Sequence, residues 1–85
     1  MATSKITIEI FYMDISDTTT ADGAVNINTK VSGYNVLSAV AIGENNYWLA
    51  IPLYKNGWWV MFYNWPALTK VASTSVSCRV ALTKA

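Results

Sequence analysis

Apolar and polar residues alternate with a period of two along most of this chain, and a helical period of 3.6 is hard to find. Successive side chains of a strand point to opposite faces, so the pattern predicts β-structure. A first strand spans about Lys5 to Met13, with Ile6, Ile8, Ile10 and Tyr12 on one face and Thr7, Glu9, Phe11 and Met13 on the other. Residues 14–23, DISDTTTADG, read as a polar loop. A second strand, Ala24–Val31, sets Val25, Ile27, Thr29 and Val31 on one face, and Ser32-Gly33 ends it. A third, Tyr34–Ile42, has Val36, Val40 and Ile42 on one side and Leu37, Ala39 and Ala41 on the other. LSAVAIG suits a short helix by composition, but the β-branched Val36, Val40 and Ile42 favour strand. Gly43 to Asn46 makes a turn. Two further strands follow at about 47–55 and 58–64, and a last at about Val71–Thr83. In the last, Thr74, Val76, Cys78, Val80 and Leu82 face inward, and Ser75, Ser77, Arg79 and Thr83 outward. About six strands with turns roughly every ten residues predict one all-β domain, a small antiparallel β-sandwich or open barrel. Residues 1–13 read either as part of it or as an arm pairing with a neighbouring subunit.

The segment from Tyr47 to Trp65 breaks the alternation, because it is apolar on both faces. Asn56-Gly57 predicts a two-residue type I′ hairpin turn, which needs φ > 0 at both central positions. That turn pairs Lys55 with Trp58, Tyr54 with Trp59, Leu53 with Val60, Pro52 with Met61, Ile51 with Phe62, Ala50 with Tyr63 and Leu49 with Asn64. One face then holds Leu49, Ile51, Leu53, Val60 and Phe62, an aliphatic core. The other holds Trp48, Ala50, Pro52, Tyr54, Trp59, Met61, Tyr63 and Trp65, an aromatic surface without charge. Pro52 lacks an N–H, so its strand is an edge or carries a bulge. Three readings of the aromatic face stay open: a second buried face of the monomer, a homo-oligomer interface, and a platform on which sugars stack while Asn45, Asn46 and Asn64 bond hydroxyls. The candidate interface or ligand residues are Trp48, Tyr54, Trp59, Met61, Tyr63 and Trp65.

Composition sharpens this picture. Of 85 residues, 53% are hydrophobic and 13% charged, against about 25% charged in an ordinary domain. A chain this short buries roughly 60–65% of its unfolded surface and gains from association. The net charge of +1 provides no basic footprint for nucleic acid. No uncharged run reaches the roughly 18 residues that a membrane span needs. No stretch resembles a signal peptide. The chain has no histidine, which removes the commonest general base and metal ligand. The one cysteine, Cys78, excludes an intrachain disulfide, and its alternating run reads it as a small buried hydrophobe.

The remaining candidates for chemistry are weak, and no enzyme activity and no cofactor or metal are expected. Asp14, Asp17 and Asp22 share a polar stretch, but their spacing does not match the calcium-loop pattern, and solvated acids are the plainer reading. Glu9 and Glu44 are a bare carboxylate pair that nothing brings together. The serines lack a histidine to act as base.

From about Val31 onward a likeness emerges. VSGYNVLSAVAIG, then the aromatic pair YWLAIPLYKNGWWVMFYNW, then VSCRVALTK resembles the C-terminal head domain of tail-fibre and minor structural proteins of phages and prophages. There a Gly-Tyr turn leads into small and aliphatic residues, an aromatic strand pair and a final alternating strand. The resemblance implies a trimeric β-sandwich on a virion or in the extracellular space, with attachment to a host receptor or surface glycan. A lectin-like monomer that binds carbohydrate through Trp and Tyr is the alternative.

Overall fold

The computed structural model describes residues 7–43 and 47–85. Six antiparallel strands run in chain order: β1 Phe11–Thr18, β2 Ala24–Asn26, β3 Tyr34–Ala41, β4 Leu49–Tyr54, β5 Trp58–Tyr63 and β6 Ser75–Lys84. They form two three-stranded sheets, ordered β1-β6-β3 and β2-β5-β4, and no helix occurs among the described residues. The all-β sandwich read from the alternation is what the chain adopts.

The two sheets close over a single apolar cluster. Ile15, Val36, Ala41, Val76, Cys78, Val80 and Leu82 come from the first sheet, and Val25, Ala50, Val60 and Phe62 from the second. Ile27, Val31 and Val71 are equally buried although they lie in connections. The strand is shorter than the expected Ala24–Val31: its alternation reaches Ile27, but Thr29, expected on the same inward face, is exposed. Backbone bonds from Lys30 and Val31 N–H to Ile27 C=O curl residues 27–31 into a turn that still drops Val31 into the core.

The structure moves β1 towards the C-terminus of its expected place. The polar stretch 14–18 is strand, not loop. Its outward side chains meet polar partners on β6: Asp14 faces Arg79, Ser16 faces Ser77 with the two Oγ atoms 2.8 Å apart, and Thr18 faces Ser75. Residues 7–10 precede the strand as exposed, unpaired chain. Lys5 and Ile6, the start of the expected strand, lie outside the described residues. In β3, Val36 pairs with Leu82 and Ser38 with Ala81, so Leu37 bulges out of the ladder. A bulge reverses the facing of everything after it. Val40 is therefore exposed and Ala39 and Ala41 point inward, the opposite of simple alternation from Val36.

Thr19 ties the exit of β1 to the loop before β6. It is buried, and its hydroxyl donates to the Val71 carbonyl at 2.6 Å and accepts from the Thr74 N–H at 2.9 Å. Its own N–H donates to the Thr74 carbonyl. Both hydrogen-bonding capacities of a buried hydroxyl are thus filled, as burial requires.

Candidate functional site

The aromatic hairpin is present, but its two strands meet one position out of step with the expected register. Leu49 pairs with Tyr63, Ala50 with Phe62, Ile51 with Met61, Pro52 with Val60, Leu53 with Trp59 and Tyr54 with Trp58. The loop is therefore Lys55–Gly57 rather than Asn56-Gly57 alone. Asn56 and Gly57 do both take positive φ, 52° and 118°, as the sequence required. The extra residue comes from a contact with the chain after β2. Asn28 Oδ1 accepts from the Trp58 N–H at 3.1 Å, and the Ile27 N–H donates to the Trp58 carbonyl at 3.0 Å. Trp58 is held as the first strand residue, and Lys55 N–H closes the loop onto the Gly57 carbonyl at 2.9 Å. Gly57 is needed there: a Cβ would stand 2.9 Å from Asn28 Cγ.

A one-residue slip turns every side chain of one strand over relative to its partner. The β5 half keeps its expected facing: Val60 and Phe62 lie in the core, and Trp59, Met61 and Tyr63 face outward. The β4 half is inverted. Ala50 and Pro52 face inward, and Leu49, Ile51 and Leu53 share the outer face with Trp59, Met61 and Tyr63. Small inward residues let the sheets approach closely at Ala50, which is buried. Pro52 sits on an edge strand, as its missing N–H demanded, but opposite Val60 rather than Met61.

The outer face of β2-β5-β4 is thus a mixed aliphatic and aromatic surface. Its cross-strand rows are Leu49–Tyr63, Ile51–Met61–Ala24 and Leu53–Trp59–Asn26. None of these side chains is charged. Ile51 and Leu53 remain 42% and 43% exposed, so this is not a second buried face of the monomer. The Trp59 ring is fixed by its Nε1–H, which donates to the Lys55 carbonyl at 3.2 Å. Beside it a groove of about 300 Å³ is lined by Leu53, Lys55, Asn56, Trp59 and Met61.

Of the six candidate residues, the structure gathers Trp59, Met61 and Tyr63. Trp48 is half-buried and packs on the core. Tyr54 lies at the turn end of the other face, edge-on to Trp58 with ring centroids 5.1 Å apart. Trp65 is exposed in the loop after β5. Asn64, the proposed hydroxyl partner, spends its amide on the Thr69 hydroxyl at 3.0 Å. Asn45 and Asn46 lie outside the described residues. Sequence reasoning missed Leu49, Ile51 and Leu53 as members of the face. The only local signal for them was that Ala50 and Pro52 are too small to make a surface of interest.

The other candidate chemistry does not assemble. Asp14, Asp17 and Asp22 each face a separate cation: Asp14 binds Arg79 through two bonds of 2.7 and 3.0 Å, Asp17 lies 3.6 Å from Lys30, and Asp22 lies 3.6 Å from Lys70. The hydrogen bond from Arg79 holds the Asp14 carboxyl below the usual carboxylate range, against a smaller opposing push from desolvation. What the pair adds to stability is present at neutral pH and is lost as pH falls through that lowered value; exposed pairs of this kind add little. Glu44, half of the carboxylate pair with Glu9, lies outside the described residues.

Cys78 is 1% exposed, facing Ile15 and Ala41 across the core sheet. Burial first, and the Asp14 charge second, push its thiol up to about 11. Only the thiolate reacts at an appreciable rate. A maleimide reagent at pH 8 is therefore expected to label Cys78 slowly in the folded protein and fast in denaturant, measured by mass spectrometry. Equal rates in the two states would show that the sandwich opens around β6.

No protein-family model, curated protein or solved structure matches the chain. The class of the protein is therefore set by its own geometry: a six-stranded antiparallel sandwich with one apolar, uncharged sheet face turned to solvent.

Proposed function

We propose that this chain is a non-enzymatic virion structural or host-attachment module of the phage-fibre type, and that it self-associates through the outer face of β2-β5-β4. The observation that carries the reading is the uncharged patch of Leu49, Ile51, Leu53, Trp59, Met61 and Tyr63. Tryptophan, tyrosine and methionine are enriched at interface cores, while charges are depleted there. Contiguous apolar surface on a small soluble protein marks a contact site. A second copy is an apt occupant because closed symmetric assembly is the default for soluble oligomers. The resemblance to fibre heads adds the expectation of three copies.

Light scattering of wild type against Ile51→Asp tests this. The wild type is expected to assemble. The variant is expected to lose mass while keeping its circular dichroism, because Ile51 lies on an edge strand and is already part-exposed. A wild type that stays monomeric at every concentration tested would refute the self-association.

One observation favours the carbohydrate-binding alternative. The locked Trp59 ring borders a groove that also presents Asn56 and Lys55. Aromatic faces with a few polar groups beside them suit sugar stacking. Under this reading a glycan panel shifts tryptophan emission in wild type and leaves Trp59→Phe nearly silent.

A further inference from the structure

A different surface of the molecule is also unfinished. β6 takes one side of β1, and among the described residues no strand takes the other. An edge like this offers a row of N–H and C=O groups to any extended chain. The usual guards are proline, lysine, a bulge or a very short strand. β1, FYMDISDT, has none of them, and its charged residues, Asp14 and Asp17, come after the stretch 7–13, which carries only Glu9. Residues 7–10 run on ahead of it without joining a strand, and a groove of about 260 Å³ separates Thr7, Ile8 and Glu9 from Thr83 and Lys84. Ile8, Ile10 and Tyr12 are 65%, 48% and 68% exposed, an alternating apolar row with nothing against it.

We propose that the edge formed by residues 7–13 pairs antiparallel with the same edge of a second copy, about a two-fold axis at Ile10. A two-fold axis normal to the sheet brings together only residues of the same facing. About Ile10, that rule sets Ile8 opposite Tyr12 of the second copy, Ile10 opposite Ile10 of the second copy, and Tyr12 opposite Ile8 of the second copy. Every exposed apolar side chain of the stretch thereby gains an apolar neighbour, and such cross-strand pairs are what stabilises a sheet. On the other side Glu9 comes opposite Phe11 of the second copy. Within one chain the Lys84 ammonium stands 5.8 Å from the Phe11 ring centroid. Glu9 therefore arrives beside a cation. Neither Glu9 nor Lys84 takes part in an ion pair among the described residues of its own chain.

Neighbouring registers are poorer. An axis at Phe11 puts Ile8 against Asp14 of the second copy, whose carboxylate is engaged by Arg79. An axis at Glu9 or at Asp14 opposes two carboxylates. The occupant that fits the edge is thus another copy of this chain, in one register. This contact uses the β1-β6-β3 sheet and is independent of the β4–β5 face.

Cysteine cross-linking tests it. Ile10→Cys, made together with Ile51→Asp to block the other face, is oxidised mildly and run on a non-reducing gel. Residues directly opposite in an antiparallel pair are within disulfide reach. Cys78 is buried and stays out of the reaction. The expected result is a reducible covalent dimer from Ile10→Cys and roughly tenfold less from Asp14→Cys, which does not face itself in this register. A mixture of Ile8→Cys with Tyr12→Cys should also cross-link, each alone far less. No dimer from Ile10→Cys, or equal yields at positions 10 and 14, would overturn the pairing. Mass retained by the wild type in light scattering would then leave the β4–β5 face as the contact, so the two proposals fail separately.

Discussion

Replacing Phe62 by alanine is expected to remove a large share of the stability of this fold, about 3–5 kcal/mol. Phe62 is the largest fully buried side chain among the described residues. It lies on β5, the central strand of its sheet, between β2 and β4. Its backbone is spoken for on both sides: its N–H donates to the Gly23 carbonyl at 2.8 Å, and its carbonyl accepts from Val71 N–H at 3.0 Å. The chain around it cannot collapse into the space left by the ring without breaking those bonds, so the cavity persists and adds to the lost transfer energy. A domain of this length holds on the order of 4–13 kcal/mol in total. The loss should show in urea as a much lower midpoint at an unchanged slope. Met61→Ala, one residue away on the outer face, is expected to change that midpoint far less. If the two variants unfold together, Phe62 is not the centre of the core.

The contrast between those neighbours also shows what the sequence made legible. The period of two in β5 and β6 assigned inside and outside correctly from Trp59 to Tyr63 and from Ser75 to Thr83, whereas Thr74, expected inward, is only part-buried. Both are central strands, buried on one face and continuous, so the local pattern and the tertiary environment agree. The readings that changed were set by contacts distant in sequence. The hairpin loop gained Lys55 because Asn28, 30 positions earlier, bonds the Trp58 amide. Nothing in KNGWW predicts that bond, which with the Ile27 N–H to Trp58 carbonyl bond holds Trp58 as the first residue of β5. The candidate face therefore kept Trp59, Met61 and Tyr63, exchanged Trp48 and Tyr54 for Leu49, Ile51 and Leu53, and left Trp65 in its loop. In β3 the bulge at Leu37 reversed Val40, and a pattern of consecutive small and aliphatic residues carries no mark of where the extra one falls. In β1 the polar run DISDT looked like loop because its partners Arg79, Ser77 and Ser75 are some 60 positions away. Only the pairing makes a ladder of polar side chains a strand.

One consequence concerns the role of the two unfinished surfaces. The outer face of β2-β5-β4 and the edge of β1 belong to different sheets, so contacts at both would join copies in two directions. A chain with two independent self-contacts forms larger assemblies than either contact gives alone.

Replacing Gly23 by alanine is expected to cost about 2–3 kcal/mol, more than its backbone conformation explains. Gly23 sits at φ +75°, in the left-handed region where a side chain costs roughly 1–2 kcal/mol. A Cβ there would also stand 3.0 Å from the Phe62 carbonyl oxygen and 3.3 Å from the Val71 N. The Phe62 carbonyl belongs to the paired strand β5, and Val71 N–H is bonded to that same carbonyl, so neither atom can swing aside. The same Gly23 carbonyl receives the Phe62 N–H, so moving residue 23 away to relieve the clash lengthens a bond of the β5 ladder. Gly33 provides the control. Its φ is +86°, nearly the same strain, but a Cβ there would meet nothing within 4 Å. Gly33→Ala should thus report the conformational cost alone, and the difference between the two variants should report the packing of the 19–23 turn against β5. Thermal melts of both variants measure that difference directly. Equal losses would mean that residues 19–23 are not seated on the strand, and that Phe62 is covered by something other than this turn.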